Sequence, residues 1–430
     1  MPHREDQERD EFRTPCSPPG MQVVQVTSDD ARSAESFYLD LPSWTADSTR
    51  FIFKRNASAD GSLKEEVWLC NVADGFSIRP LVEQPFAMLS PDGRWAYYVP
   101  RVQDKLEVRR LSVDTGEDIA VLDAPEPFAR RGCYTISADG ERICVGCFLG
   151  DGVTEGAPWG ACVLDAADGS WRIIEFGNGY RNMHCQYSHD PDPRFSHDIT
   201  AMGTDGKLSD GSWLTPPDGS WRWKDMPPPF PKGQGNKGVH QVVRDDGTNW
   251  RMLPLGNDDD VVSGGHITWR GKSYSLVASM YHHPPGRWRA PLFEASPIPI
   301  DAIEQRWLGE DVLKQPTGAG AKVIDLSRKL ARADSCHFGF DGSGRHFVSD
   351  TDGYNVGAYS YLYVGTYVEP ADDDPYVIAK YLLLPRTSWK GQPAHPHAFL
   401  SPDAKYVVFQ SDFTGKPQVH VAYDFEYPEP

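Results

Sequence analysis

The chain has 430 residues, of which 12 % are aromatic, with 39 glycines, 36 prolines and a formal net charge of −18. So acidic a surface repels nucleic acid and anionic membranes, and neither is an expected partner. Aromatics and turn formers in this proportion suit many short strands, and an all-β chain of this length can be one domain.

The opening segment, MPHREDQERDEFRTPCSPPG, is charged and holds no apolar run. Residues 1–20 are expected as a disordered tail, being neither a secretory leader nor a membrane segment. No later apolar run approaches membrane-spanning length, and a cytoplasmic protein is expected.

From residue 21 the chain keeps returning to one theme: an apolar stretch, a tight polar turn, then an alternating strand. In order it reads LPSWTADSTRFIFK at 41, MLSPDGRWAYYV at 88, TISADGERICVG at 135 and QYSHDPDPRFSHDI at 186. HITWRGKSYSLVA at 266, HFGFDGSGRHFVSD at 337 and FLSPDAKYVVFQSD at 399 follow. Asp and Gly in the turns supply side-chain acceptors and positive φ. The turn positions are 47, 92, 139, 190, 270, 341 and 403, and the first spacings are 45, 47 and 51 residues. A period of about 40–50 residues with several strands per unit marks a β-propeller. The expectation is an all-β fold, a single seven-bladed β-propeller domain over 21–430. The eight cysteines are scattered. Cys144 and Cys147 form a C-x-x-C with no second pair to complete a zinc site, and are expected as buried thiols.

The histidines fall in register with the turns. His184 lies six residues before position 190, His266 four before 270, and His337 four before 341. His397 and His395 lie six and eight before 403. Even offsets on a strand point to one side. Blades 4 to 7 are thus expected to present a histidine at the start of the inner strand, at the channel mouth. A lone channel histidine is ordinarily a satisfied polar group, but five of the chain's 13 share this layer. Three imidazoles, from His337, His395 and His397, with an amide oxygen from Gln392, suit a divalent cation with open positions, a Lewis acid for an anionic ligand. Of His266 and His184, one can serve as general base. Arg181 and Arg332 add positive charge at the mouth, or are ordinary solvated arginines.

These segments resemble the oligogalacturonate lyases, the family 22 polysaccharide lyases, which are seven-bladed propellers. The resemblance lies in VVQVTSDDARSAESFYLDLPSWTADSTRFIFKR, MHCQYSHDPDP, GGHITW, CHFGFDGSGRHFVSDTDG and QPAHPHAFLSPDAKYVVFQSD, the last containing a Q-x-x-H-x-H spacing. Together they span most of the chain after residue 21. The resemblance implies a divalent metal, manganese in the family, on His337, Gln392, His395 and His397. It implies His266 as the base and a catalytic arginine soon after it, for which Arg270 is the nearest match. Where the family has G-H-E-F-W this chain has G-H-I-T-W, and an added HHPPGRWRAP follows at 282–291.

The implied reaction is metal-assisted β-elimination on a 4-linked uronate, with a short acidic oligosaccharide as substrate. His184, Arg181 and Arg332 would then bind substrate. A lyase for a glucuronate-containing sugar and a non-catalytic binding propeller are the alternatives. A propeller hydrolase is disfavoured, because no G-x-S-x-G elbow is present. Nothing in the sequence fixes the oligomeric state.

Overall fold

The same few hydrogen bonds close the first hairpin of several repeats. Ser90 Oγ donates to Asp92 Oδ1 at 2.5 Å, the Arg94 N–H donates to that carboxylate at 3.0 Å, and the Trp95 N–H donates to Ser90 Oγ at 3.1 Å. Ser137 with Asp139 and Ser401 with Asp403 repeat the set, and Thr45 with Asp47 gives a variant of it. Short side-chain acceptors thus pair turn N–H groups that no strand can reach. Gly93 sits at φ +70°, and a Cβ there would meet Thr45 Cα at 2.7 Å, so this turn admits only glycine.

The computed structural model describes residues 7–29, 31–38, 41–126, 134–178, 183–203, 239–253, 261–282, 292–299, 322–324, 335–351, 360–373 and 375–430. Among these residues the strands form seven antiparallel sheets and there is no α-helix. The sheets are the blades of a seven-bladed β-propeller. Blade 1 comprises Ala34–Ser36, Arg50–Arg55, Glu66–Asn71 and Ser77–Val82; blade 2 runs from Met88–Leu89 to Asp118–Asp123 and blade 3 from Tyr134–Ile136 to Trp171–Gly177. Blade 4 starts at Gln186–Tyr187, blade 5 at Val261–Trp269, blade 6 at Phe338–Phe340 and blade 7 at Phe399–Leu400. All seven turn positions read from the sequence fall in the first hairpin of a blade. In blade 1 the stretch before the turn makes only a Trp44–Phe51 bridge, and the first strand is the earlier Ala34–Ser36.

The chain divides into two compact units. The first, Met1–Val102 with Glu107–Val121 and Ile324–Pro430, carries blades 1, 6, 7 and most of blade 2. Its core holds Phe51, Phe53, Val408 and Val421 in one cluster and Phe12, Val348, Leu362 and Phe409 in another. The second, Gln103–Leu106 with Leu122–Val323, carries blades 3 to 5 around Val163, Tyr187, Val242, Trp269 and Leu276. Cys144 and Cys147 are both buried thiols here, and burial raises the Cys144 pKa. No helix among the described residues is long and apolar enough to cross a membrane.

One expectation is corrected. From Gln7 onward the N-terminal segment is ordered structure and not a disordered tail; residues 1–6 lie outside the described set. Blade 7 takes its outer strands from it. Gln22–Gln25 pairs with Gln418–Tyr423, and Gln7–Glu8 pairs with Gln22–Gln25. The segment looks solvated because its apolar content before Met21 is almost one side chain, Phe12, yet that ring is fully buried. It packs edge-on to His420 at 4.8 Å, Phe409 at 5.6 Å and Phe413 at 5.9 Å. Thr27 Oγ1 adds a buried bond to Gln418 Oε1 at 2.5 Å.

Two outcomes follow. Phe12→Ala should destabilise the protein by about 3–5 kcal/mol in urea denaturation, the usual cost of emptying a core aromatic site; a neutral result would show that the segment is not docked. His420 is buried with its Nδ1–H donated to the Gln418 carbonyl at 2.9 Å, and burial lowers its pKa from 6.5 to about 3. The unfolded chain therefore binds the extra proton first as pH falls. The stability held by neutral His420 is complete above pH 6.5 and is lost progressively toward pH 3. His420→Gln should flatten the decline of urea midpoint between about pH 6.5 and 4, and an unchanged slope would refute this.

Candidate metal centre

Three of the predicted histidines meet in the first unit. His337 precedes the blade 6 strand Phe338–Phe340, and the Phe338↔Ser349 register sets it opposite Asp350, the last residue of His346–Asp350. Oδ1 of Asp350 accepts the His337 backbone N–H at 2.7 Å, and Oδ2 lies 2.7 Å from His337 Nδ1. Ser349 Oγ donates to the His337 carbonyl at 2.8 Å.

His395 and His397 stand at the entrance to blade 7. The single-turn 3-10 helix Gln392–Ala394 ends with the His395 N–H donated to the Gln392 carbonyl at 3.1 Å. Asp412 fastens the loop before it, accepting from the Ser388 N–H at 2.7 Å, Thr387 Oγ1 at 3.1 Å and Ser388 Oγ. His397 has φ +40°, left-handed backbone that histidine tolerates better than most residues. His184, at the corresponding place before blade 4, has φ +43°. Even-offset counting assumes unbroken extended chain, and these two residues break it; the three rings converge in spite of that.

The rings of His337, His395 and His397 are buried, at 1, 2 and 6 % exposure. Their centroids are 4.5, 5.5 and 5.6 Å apart, and one nitrogen from each lies within 4.8 Å of the others. Trp389 packs on His395 at 4.5 Å and stacks on His337 at 5.9 Å, held by its Nε1–H bond to Ser360 Oγ at 2.7 Å. Tyr38 meets His397 and His337 edge-on at 5.2 and 6.1 Å. Gln410 Nε2 lies 3.3 Å from His397 Nδ1, but also donates to the Pro393 carbonyl at 3.1 Å, while its Oε1 accepts the Ser36 N–H at 2.8 Å. That shared, long contact commits His397 far less than the 2.7 Å contact commits His337.

The donor set fits a divalent cation. Burial lowers the His395 pKa, against the raising effect of Asp350, so His395 favours the neutral form that ligates metal. Desolvation raises the Asp350 pKa to about 8, opposed first by the His337 N–H and then by His395. Gln392, the fourth expected ligand, is exposed on the 3-10 turn beside them.

In the second unit, His266 is half-buried in Val261–Trp269, with Ser279 Oγ at 3.5 Å from its carbonyl. His184 is half-buried before Gln186–Tyr187, and burial lowers the pKa of nearby His240 from 6.5 to about 3, with a smaller contribution from His184. Arg270 is held within its own blade. It begins the far turn of the blade 5 hairpin, its N–H donated to the Ser275 carbonyl at 2.9 Å, and its Nε is bonded to Glu294 Oε1 at 2.6 Å. Three strand residues, Ile267, Thr268 and Trp269, lie between it and His266, about 13 Å of extended chain, and its ion pair with Glu294 braces the blade. Arg181 and Arg332 lie outside the described residues. Sequence reasoning missed Asp350, Tyr38, Trp389 and Gln410. Counting outward from the 341–346 turn would have found Asp350 opposite His337.

Among solved structures, the fold is similar to an oligogalacturonate lyase from Vibrio parahaemolyticus, with TM-score 0.66, 16 % identity and 98 % of each chain covered. An oligogalacturonate lyase in complex with manganese gives TM-score 0.63 and 18 % identity over 100 % of this chain and 99 % of that one. An acylaminoacyl peptidase from Pyrococcus horikoshii gives 0.53 and 11 % identity over 92 % of this chain and 51 % of that one. Identities this low show the shared propeller fold and not the activity. No family model matches the sequence, and no curated protein does.

Arg270→Gln should cost about 3 kcal/mol of stability in urea denaturation by stranding the buried Glu294 carboxylate. A variant of normal stability would contradict the bracing role.

Proposed function

We propose that this protein is a metal-dependent lyase that cleaves 4-linked uronate sugars by β-elimination, with short oligogalacturonides as substrate, acting in the cytoplasm. The observation that carries this is the buried cluster of His337, His395 and His397. The fold-level likeness to oligogalacturonate lyases, one in complex with manganese, supports it.

His337, His395 and His397, with the Gln392 carboxamide, would hold the divalent cation, taken as Mn²⁺. Bound there, it supplies charge that neutralises a uronate carboxylate and so acidifies the neighbouring carbon-5 proton. Trp389 and Tyr38 limit water around the rings, which strengthens electrostatic interactions among them. His266 is the proposed base. It takes the carbon-5 proton, the carbon–hydrogen electrons form the carbon-4 to carbon-5 double bond, and the carbon-4 oxygen leaves with the bonding pair and gains a proton. His184, with Arg181 and Arg332, is proposed to hold the sugar. On a body of net charge −18 such cations matter more for an anionic ligand than they would on a neutral one.

The test follows the ultraviolet absorbance of the new conjugated double bond on saturated digalacturonate and trigalacturonate. It should rise, stop with chelator and return with Mn²⁺, and His397→Ala should abolish both the rise and Mn²⁺ binding. A rise only on glucuronate oligosaccharides would keep the chemistry and change the sugar. Silence on every sugar with Mn²⁺ present would overturn the lyase in favour of a binding propeller.

A further inference from the structure

The two histidines that open blades 6 and 7 each face a residue on the following strand. The Phe338↔Ser349 register places Asp350 across from His337, and Phe399↔Val408 places Gln410 across from His397. Both partners contact Nδ1, but one is a carboxylate and the other an amide. With Asp350 ionised, as it is above its pKa of about 8 or beside a bound cation, their chemistry differs in sign: a carboxylate offers only acceptors, whereas the amide nitrogen offers only donors.

We propose, resting on the metal-dependent function above, that Asp350 is the positioning residue of the centre, holding the His337 proton on Nδ1 so that Nε2 faces the cation. Its two oxygens span two groups of one residue, the backbone N–H and Nδ1, both at 2.7 Å. A bridge of that kind fixes the side-chain torsion and the ring orientation together. The backbone N–H can only donate, so Oδ1 is committed as acceptor, and Oδ2 is left for the ring. Trp389, stacked 22° from coplanar with the imidazole, opposes ring rotation. Asp350 is wholly buried, and the Ser349 hydroxyl bonded to the His337 carbonyl keeps the two strands in step.

The proposal makes a near-isosteric substitution informative. In Asp350→Asn the amide oxygen must take the backbone N–H, as Gln410 Oε1 takes that of Ser36. The amide nitrogen then faces Nδ1 as a donor and drives the proton to Nε2, where it blocks a cation. Chelator-stripped wild type and variant would be titrated with Mn²⁺ by calorimetry. Histidine tautomers would be read by ¹⁵N-histidine NMR, with the His337 signals assigned from their loss in His337→Gln. Read above pH 8, where Asp350 is ionised, the expected result is an Nδ1–H tautomer in wild type and an Nε2–H tautomer in the variant. Mn²⁺ affinity should weaken about 10- to 100-fold at an unchanged melting temperature. Tight Mn²⁺ binding by the wild type with equal binding by Asp350→Asn would overturn the role of Asp350 alone. A wild type that binds no Mn²⁺ would overturn the metal-dependent function and this role with it. Should Asp350→Asn not fold, the wild-type spectrum still decides, since an Nε2–H tautomer at His337 refutes the proposal.

Discussion

Antiparallel register in the first hairpin of each blade is the constraint on which the candidate site depends. Strand side chains alternate, so a slip of one residue would turn His337 to the opposite face and separate it from Asp350. The turns prevent that slip. In blade 7, Ser401 and Asp403 between them accept the Tyr406 and Lys405 N–H groups, which pins where Phe399–Leu400 meets Val407–Ser411. Chemistry at one end of the hairpin thus sets the position of imidazoles at the other.

The propeller is legible in the sequence because its signal is local: a tight polar turn between apolar stretches, with Asp at six of its seven positions, closes a hairpin each time it recurs. The site is legible in part. His337, His395 and His397 converge as their spacing from the turns suggests, although His397 does so through a left-handed residue that no count of even offsets includes. Asp350 stays hidden because its role depends on a partner across the sheet rather than beside it in the chain. Arg270 shows the same limit from the other side: its ion pair with Glu294, 24 residues on, cannot be read from its place near His266 in the chain. Phe12 is missed because one aromatic among charges raises no periodic signal, and its burial is decided by Phe409 and His420 at the other end of the chain.

The supports of the centre differ in kind. Asp350 acts on a ring, Asp412 on the loop that leads to the 3-10 turn, and Trp389 on the packing of two rings at once. Burying so many polar groups is costly unless each is matched. The exposed Gln392, by contrast, lies outside this rigid frame.

Blade 7 has a further consequence. It carries two of the three imidazoles, yet it is assembled from both ends of the chain: the Thr27–Gln418 bond joins residues 391 apart. Closing so long a loop comes late in folding, because its entropy must be met before the contacts that reward it. Gln22–Gln25 must therefore wait for Gln418–Tyr423, at the far end of the chain, before blade 7 is complete. The two imidazoles of blade 7 thus rest on a sheet that neither end of the chain can complete without the other.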